Sequence, residues 1–267
     1  MLDPDRPIYP SAPLKLVTFQ IRFPQVPELD SITPPHGITQ ALKQRYPILG
    51  GPPPVLQLEL GPGQSVQRSR GSRLMSRDRT RSVTLIGDFV AIETSRYERY
   101  ELFADEVDWV LRQIHEITPL PAVTRLGLRY IDEIQVEGVQ SIADWSPWIR
   151  EDLLVGGVVD GYTTDDFLAH IALTVDDGQK MTVRYGRVSQ PVVDPNGVLR
   201  IDKSPKGPYF LLDIDSYWEP SDESFREFDA DEVRDVCLKL HDPIRAIFER
   251  AITPQLRALF AGEGETT

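Results

Sequence analysis

Hydrophobic and polar residues alternate along several short stretches of the chain, a pattern that predicts β-strands with one buried face. In the stretch 14–23, the apolar residues Val17, Phe19, Ile21 and Phe23 all stand at odd positions. The same reasoning predicts further strands over residues 55–60, 73–76, 82–86, 89–94, 123–136, 167–175, 180–187 and 209–218. Turn signals at 78–80, at 87–88 and at 176–179 indicate that neighbouring strands form hairpins.

A period of three to four residues replaces this alternation in the predicted helices. One apolar stripe predicts a helix over 99–117, and its members are Phe103, Val107, Val110, Leu111 and Ile114. A second helix is expected to begin at the capping residue Asp229, with Glu232 completing a variant capping box. A shorter helix is predicted over 36–46.

Prolines divide the C-terminal helical region. Pro243 removes an amide donor and is expected to kink or restart the second helix, with Asp242 as the cap of the restart. The pair Thr253-Pro254 repeats this arrangement of cap and proline before a last short helix over 255–260.

Runs of strands separated by isolated helices predict an α+β fold, with antiparallel sheets and a few long amphipathic helices packed against them. The 267 residues are long enough for one compact unit with a sizeable core. Two similar lobes, 1–136 and 137–261, are the alternative, and the polar end 262–267 is expected to be a flexible tail.

The chain is acidic and contains a single cysteine, and both facts limit the classes of function that it can have. The 41 Asp and Glu residues against 29 Lys and Arg give a formal net charge of -12, which disfavours general attraction to nucleic acid or anionic lipid. Cys237 alone cannot form an internal disulfide or a thiolate zinc site. No apolar run approaches the roughly 18 residues of a membrane-spanning helix, and the N-terminus has no secretory signal pattern. We expect a cytoplasmic protein with no membrane partner.

Three segments carry a family resemblance: APLKLVTFQIRFP at 12–24, RLGLRYIDEI at 125–134, and YFLLDIDSYW at 209–218 followed by the helical stretch 240–260. In this order they resemble a sporadically distributed family of uncharacterised bacterial proteins, usually described by a catalogue number. Its members share an N-terminal "aPl..v.feirF" strand, a mid-chain "GLRYI[ND]" strand and a C-terminal "H...Fe..iT..l" helix. Asp132 stands where many relatives have Asn, which argues against a demanding catalytic role. The patchy distribution resembles that of mobile or defence-type genes, which implies a protein partner encoded nearby.

The sequence contains no recognisable catalytic, metal-binding or cofactor motif. The four histidines, His36, His115, His170 and His241, are scattered without the spacing of a zinc site. Neither a nucleophile elbow nor a glycine-rich phosphate loop is present. We therefore expect no catalytic residue, no bound metal and no cofactor.

Two aspartates in the stretch 209–218 are the main candidates for a buried polar network. Asp213 and Asp215 share one face of the predicted strand, so their charges repel unless a neighbour neutralises them. Lys180, Arg184 or Arg200 could supply that charge, and Mg²⁺ is the alternative. If this strand pairs with the stretch 125–134, then Arg129, Tyr130 and Asp132 are expected to join the same network.

Arginines are concentrated in the stretch 67–83, whose six arginines and one aspartate give a net charge of +5 and leave -17 for the other residues. Arg73, Arg77, Arg79 and Arg81 lie in the predicted hairpin and are the candidate contacts to a partner or an anion. Three interpretations stay open: a solvated or internally paired face, a docking site for an acidic protein, and a site for nucleic acid or nucleotide. The stretch has no aromatic residue on which bases could stack, so nucleic acid is the least favoured partner.

The favoured hypothesis is a non-enzymatic binding or regulatory protein that acts through a protein partner. The alternative is a metal-dependent enzyme or binder that acts on a phosphorylated or nucleic-acid ligand through the Arg-rich hairpin. The sequence leaves the oligomeric state and the identity of the partner open.

Overall fold

The computed structural model describes residues 9–50, 71–176, 178–194, 197–202, 207–220 and 225–262. The strands are β1 (Leu14–Arg22), β2 (Ile48–Gly50), β3 (Gly71–Met75), β4 (Arg81–Ile86), β5 (Phe89–Thr94), β6 (Arg125–Ile134), β7 (Ala169–Asp176), β8 (Gln179–Val188) and β9 (Tyr209–Trp218). The α-helices are α1 (His36–Leu42), α2 (Tyr100–Ile117), α3 (Ala230–Ala251) and α4 (Pro254–Ala261). The strand predicted over 55–60 lies outside the described residues.

All these strands belong to one antiparallel sheet, in the order β2-β3-β4-β5-β1-β6-β9-β8-β7. The predicted mixed α+β class with an antiparallel sheet is confirmed. Although β1 is the first strand of the chain, it lies in the middle of the sheet, between β5 and β6. The strands of the two segments considered as lobes meet within this one sheet, where β6 pairs with β9.

The helices α1, α2 and α3 cover one face of the sheet. Helix α3 packs on β6 and β9, and α2 contacts both α1 and α3. All members of the apolar stripe predicted for α2 are buried. A second apolar cluster, around Trp145 and Phe210, packs the ends of β6 and β9 against α4. None of the described helices combines the length and the apolar character that a membrane span requires.

The predicted caps at Asp229 and Thr253 are present, but the capping box at Asp229 needs a correction. The Asp229 side chain accepts hydrogen bonds from the amides of Asp231 and Glu232, and the Thr253 hydroxyl accepts one from the amide of Leu256. These bonds satisfy amides that have no partner inside the first turn. The capping box is not completed, because the Glu232 carboxylate binds the guanidinium of Arg226 instead.

Helix α3 runs without interruption through Pro243, so the predicted restart capped by Asp242 is wrong. Proline lacks the amide that would normally bond to the carbonyl of residue 239, four positions earlier. The Gln179 side chain in β8 donates instead, from Nε2 to the Lys239 carbonyl at 3.1 Å. The same Nε2 lies 3.3 Å from Ser216 Oγ, in a buried position. A side chain of the sheet therefore supplies the donor that Pro243 cannot.

The Gln179→Leu substitution keeps the bulk of the side chain and removes its amide. It is expected to lower the free energy of unfolding by about 1–2 kcal/mol, because the Lys239 carbonyl loses its donor in a buried site. In a Pro243→Ala background the backbone amide of residue 243 can bond to that carbonyl, so the loss should shrink by about 1 kcal/mol. Urea denaturation of the four proteins measures both losses. Equal losses in the two backgrounds would show that Gln179 does not compensate for Pro243.

Candidate functional site on the helix-free face of the sheet

The pairing registers assign each strand residue to one of the two faces of the sheet, because successive side chains point to opposite sides. One face carries the core under the helices. We call the other the helix-free face, since no described helix packs on it. Its charged residues at paired strand positions are Arg22, Arg73, Arg125, Arg129, Lys180, Arg184, Glu93, Glu133, Asp213 and Asp215. Six cations and four carboxylates stand at these positions, and Asp88 and Glu219, next to the strands, pair with Arg22 and Arg125.

Arg129, Asp213 and Arg184 form a cluster that joins the adjacent strands β6, β9 and β8. Arg129 binds Asp213 in a bidentate manner, with Nε 2.7 Å from Oδ1 and Nη2 2.7 Å from Oδ2. The Nε of Arg184 lies 3.5 Å from Oδ2 of the same carboxylate. The side chain of Asp213 is 2% exposed, and the two guanidinium groups supply the charge that its burial requires. Arg184 is therefore confirmed as a partner, whereas Lys180 and Arg200, both described, do not pair with Asp213.

Asp215 extends this cluster towards Arg125. The Nη2 of Arg125 lies 3.4 Å from Oδ2 of Asp215, its Nη1 donates to Gln20 Oε1 at 3.0 Å, and its guanidinium stacks 4.5 Å from the ring centre of Tyr217. Burial raises the pKa of Asp215, and the positive charges of Arg125 and Arg129 oppose that shift. Burial lowers the pKa of Arg129, but the hydrogen bonds and the charge of Asp213 outweigh it, so the net shift is upward. Arg129 is thus held in its charged form.

Tyr130 and Asp132 lie on the opposite face, so the structure does not bring them into the predicted network with Asp213. Their even positions in β6 turn them towards the helices, where the Tyr130 hydroxyl donates to the Tyr97 hydroxyl at 3.0 Å. Asp132 is 4% exposed and pairs in register with Leu14 and Leu212. Burial raises the pKa of Asp132 to about 8, and the negative charge of Asp213 adds to the shift.

The arginines of the predicted hairpin lie on different surfaces. Arg73 is on the helix-free face, where its Nε donates to Thr84 Oγ1 at 3.1 Å. Arg77 is exposed at the hairpin tip. Arg81 points to the helix side, with its Nη1 3.5 Å from Oε2 of Glu106. These side chains do not form one continuous cationic surface.

Arg79 forms hydrogen bonds with the chain segment that follows β8. Its backbone is in the left-handed region, with φ of 59°, which is uncommon for a residue other than glycine. The guanidinium donates to the Val198 carbonyl, 2.8 Å from Nη2, and the Arg79 carbonyl accepts from the amide of Arg200 at 2.7 Å. Ser95 completes the contact by donating to the Arg200 carbonyl at 2.7 Å. Arg79 is therefore paired inside the protein, as the first of the three interpretations of the arginine-rich stretch expects.

A buried glutamate that was not predicted from the sequence lies in a cleft of about 550 Å³ beside the ends of β4 and β5. Glu106 accepts hydrogen bonds from Arg45 Nη1 at 2.7 Å and from the Tyr46 hydroxyl at 2.8 Å. The sequence does contain a signal for this buried charge, because Glu106 stands three residues after Phe103, inside the apolar stripe of α2. Together with Arg81, these donors satisfy the carboxylate, which joins α2, β4 and the turn that follows α1.

The described residues contain no group of three or more His, Cys, Asp or Glu side chains placed to hold a metal ion. His115 has a structural position, since its Nδ1 accepts from the Leu120 amide at 3.1 Å and its ring stacks on Phe228. Cys237 is buried, and burial raises the pKa of its thiol to about 12. A thiol in this environment is a poor nucleophile.

Comparison with known proteins does not assign a function, since no protein-family model and no curated protein matches the chain. The family resemblance carried by RLGLRYIDEI and the two other segments stays a prediction. The proposed function therefore rests on the geometry of the helix-free face.

The Asp213→Asn substitution is expected to lower the free energy of unfolding by about 3 kcal/mol or more, because it leaves the buried guanidinium of Arg129 without a counter-charge. The matched change Asp215→Asn should cost clearly less, since Asp215 is 24% exposed and lies 3.4 Å from its arginine. Urea denaturation at pH 7 measures both losses. Similar losses for the two variants would contradict the central role of Asp213.

The Asp132→Asn substitution is expected to stabilise the protein at alkaline pH. The pKa of Asp132 is about 8 in the folded state and about 3.9 in an unfolded chain. Between these values the folded state holds a proton that the unfolded state has lost, so wild-type stability falls as the pH rises through this window. The stability of the variant lacks this pH dependence. At pH 8 its free energy of unfolding should therefore exceed that of wild type by about a few kcal/mol.

Denaturation curves of wild type and Asp132→Asn at pH 4, 6 and 8 isolate the contribution of Asp132 to the pH dependence of stability, since every other titrating group is common to both proteins. The two proteins should have nearly equal stability at pH 4. A constant difference across the three pH values would show that Asp132 titrates normally in the folded state.

Proposed function

We propose that this protein is a non-enzymatic binding protein that docks an acidic surface of another protein on its helix-free face. The observation that carries the proposal is the set of ordered and partly exposed arginines on this face, in a chain whose net charge is -12. Salt screens charges beyond roughly 8 Å at physiological ionic strength, so an approaching partner responds to these arginines and not to the net charge of the whole chain. Electrostatic complementarity of this kind favours association and excludes partners of the wrong charge.

The central arginines are suited to such a contact because the sheet holds them in place. The side chains of Arg125 and Arg129 remain 18% and 27% exposed although carboxylates fix their guanidinium groups. A side chain that is already ordered loses little entropy on binding. Arginine and tyrosine are also the residue types that often dominate binding energy in protein interfaces, and Tyr217 lies beside Arg125.

Cations around the central cluster extend the positive surface. The side chain of Arg22 is 43% exposed. Its guanidinium stacks on the ring of Phe89, and its Nη1 lies 3.9 Å from Oδ2 of Asp88. Arg73 is partly exposed on β3, and Lys180 is exposed on β8. These side chains are available to a partner without breaking the buried pair of Arg129 and Asp213.

Reversing the charges at Arg22 and Arg73, with both changed to Glu, is expected to abolish capture of the partner. Tagged wild-type and variant proteins would be purified from the native host at about 0.1 M salt, where the Debye length is about 10 Å, and bound proteins quantified by mass spectrometry. We expect wild type to retain an acidic protein in stoichiometric amount and the variant to lose at least 90% of it. The product of a neighbouring gene is the first candidate, in keeping with the family resemblance.

The matched control is the double change of Lys239 and Arg250 to Glu, which alters the net charge equally on exposed positions of α3. This control should retain the partner. Recovery of no stoichiometric protein, or equal loss in both variants, would contradict the proposal. Recovery of nucleic acid that the Arg22 and Arg73 variant fails to bind would favour the nucleic-acid interpretation instead.

A further inference from the structure

The cleft that contains Glu106 has the size of a small-molecule site. Its volume of about 550 Å³ falls inside the range of roughly 300–1,000 Å³ that is common for sites of small ligands. The cleft lies where the ends of β4 and β5 meet the first turns of α2. The docking of a partner on the helix-free face does not account for it, since neither Arg22 nor Arg73 lines the cleft.

Two arginines in this cleft share the single carboxylate of Glu106. Arg45 Nη1 lies 2.7 Å and Arg81 Nη1 lies 3.5 Å from Oε2 of Glu106, whose side chain is 11% exposed. The guanidinium of Arg45 also stacks 4.1 Å from the ring centre of Trp109, so it is held in place. Both arginine side chains nevertheless remain about 40% exposed, and each guanidinium has more N–H donors than one carboxylate can use. One counter-charge for two cations therefore leaves a positive charge and free donors in the cleft.

Arg96 and Arg99 add two further guanidinium groups from the segment between β5 and α2. Both residues line the cleft and are exposed. Within the part of the chain that the structure describes, neither guanidinium forms a hydrogen bond or an ion pair with the protein. Their planar donor groups are therefore available to the oxygens of an anionic ligand.

The carboxylates of the cleft differ from its arginines in how far the protein itself uses them. Among the described residues that line the cleft, five carboxylates stand beside the four arginines, so the cleft is not positive as a whole. Asp78, Glu93, Asp105 and Glu106 each accept a hydrogen bond from another side chain of the protein, between 2.6 and 2.8 Å long. Glu98 is the fifth carboxylate and is exposed. The protein thus occupies most of the acceptors and leaves mainly donors for a ligand.

Apolar side chains also line the cleft. Leu102, in the first turn of α2, is 45% exposed, and Ile92 and Phe103 line the cleft with it. Sites for small organic molecules commonly combine such apolar contacts with a few polar groups that fix the orientation of the ligand. An exposed leucine among free arginines therefore favours a ligand with an apolar part and an anionic group over a bare inorganic ion.

We propose that this cleft binds a small organic oxyanion. Arg96, Arg99 and the pair of Arg45 and Arg81 hold its phosphate or carboxylate group, and its apolar part contacts Leu102. Phosphate and carboxylate share the chemistry that the cleft recognises, because guanidinium groups donate paired N–H bonds to the oxygens of either. The site takes a free small molecule, whereas the proposed function concerns an acidic protein on another surface.

Calorimetric titration of wild type at low ionic strength tests the class of ligand with four probes: phenyl phosphate, benzoate, inorganic phosphate and benzylamine. Phenyl phosphate or benzoate should bind about tenfold more tightly, or better, than inorganic phosphate and benzylamine, because only these two probes combine a ring with an oxyanion. The tighter of the two identifies phosphate or carboxylate as the preferred group. The proposal is overturned if neither of them binds, if the cationic benzylamine binds more tightly, or if inorganic phosphate binds equally well.

Substitutions locate the binding in the cleft. Changing Arg96 and Arg99 together to Gln should weaken the binding of the tighter probe by about tenfold or more, and the variant should fold because neither guanidinium is paired within the protein. The matched control changes Arg77 and Arg200 to Gln, which alters the net charge equally at exposed positions outside the cleft. This control should keep the affinity of wild type. Unchanged affinity in the first variant, or an equal loss in both, would overturn the proposal.

The variants of the two proposals also separate them. The protein with Arg22 and Arg73 changed to Glu should bind the tighter probe like wild type, because neither residue lines the cleft. The protein with Arg96 and Arg99 changed to Gln should capture the partner like wild type. Loss of probe binding in the Arg22 and Arg73 variant would show that the probe binds on the helix-free face instead, which would overturn the assignment to the cleft.

Discussion

The buried carboxylate of Asp213 is the constraint on which the arrangement of the sheet depends. An ionised group that is 2% exposed is stable only when opposite charges with good geometry replace its water. Arg129 from β6 and Arg184 from β8 provide those charges, so the cluster fixes the registers of β6 with β9 and of β9 with β8. A shift of one residue would turn Asp213 into the apolar core and leave both arginines without a partner. The same cluster therefore connects the strands of the N-terminal and C-terminal parts of the chain.

The two faces of the sheet carry different kinds of side chains. The face under the helices buries mainly apolar side chains. Asp132 is buried there with a raised pKa, and the carboxylate of Glu106 is satisfied by Arg45, Tyr46 and Arg81. In the centre of the helix-free face, Arg125, Arg129 and Arg184 pair with Asp213 and Asp215 across neighbouring strands, so they remain ordered while parts of them stay accessible to water. An ordered and partly exposed set of arginines is a rigid surface, which is what the proposed docking of a partner requires.

Much of the local structure could be predicted from the sequence, whereas most contacts between distant segments could not. The bounds of β5 and β9 agree with the predicted stretches 89–94 and 209–218, because alternation and flanking turns are local signals. Arg184 was among three candidates for Asp213, since alternation specifies a face but not which strand is adjacent. The role of Gln179 depends on the contact between β8 and α3, and no local pattern around Pro243 indicates it. The separation of Tyr130 from Arg129 follows directly from alternation in β6.

The central position of β1 has a consequence for how the chain folds. Its neighbours β5 and β6 end at Thr94 and Ile134, so β1 has no strand partner until many later residues have been made. The hairpins β3-β4-β5 and β7-β8 close short loops and can form early, whereas the middle of the sheet requires contacts across long sequence separations. Until those contacts form, the apolar side of β1, with Val17, Phe19 and Ile21, is exposed to other chains. During synthesis β1 can therefore be covered on both edges only after Ile134 has been made.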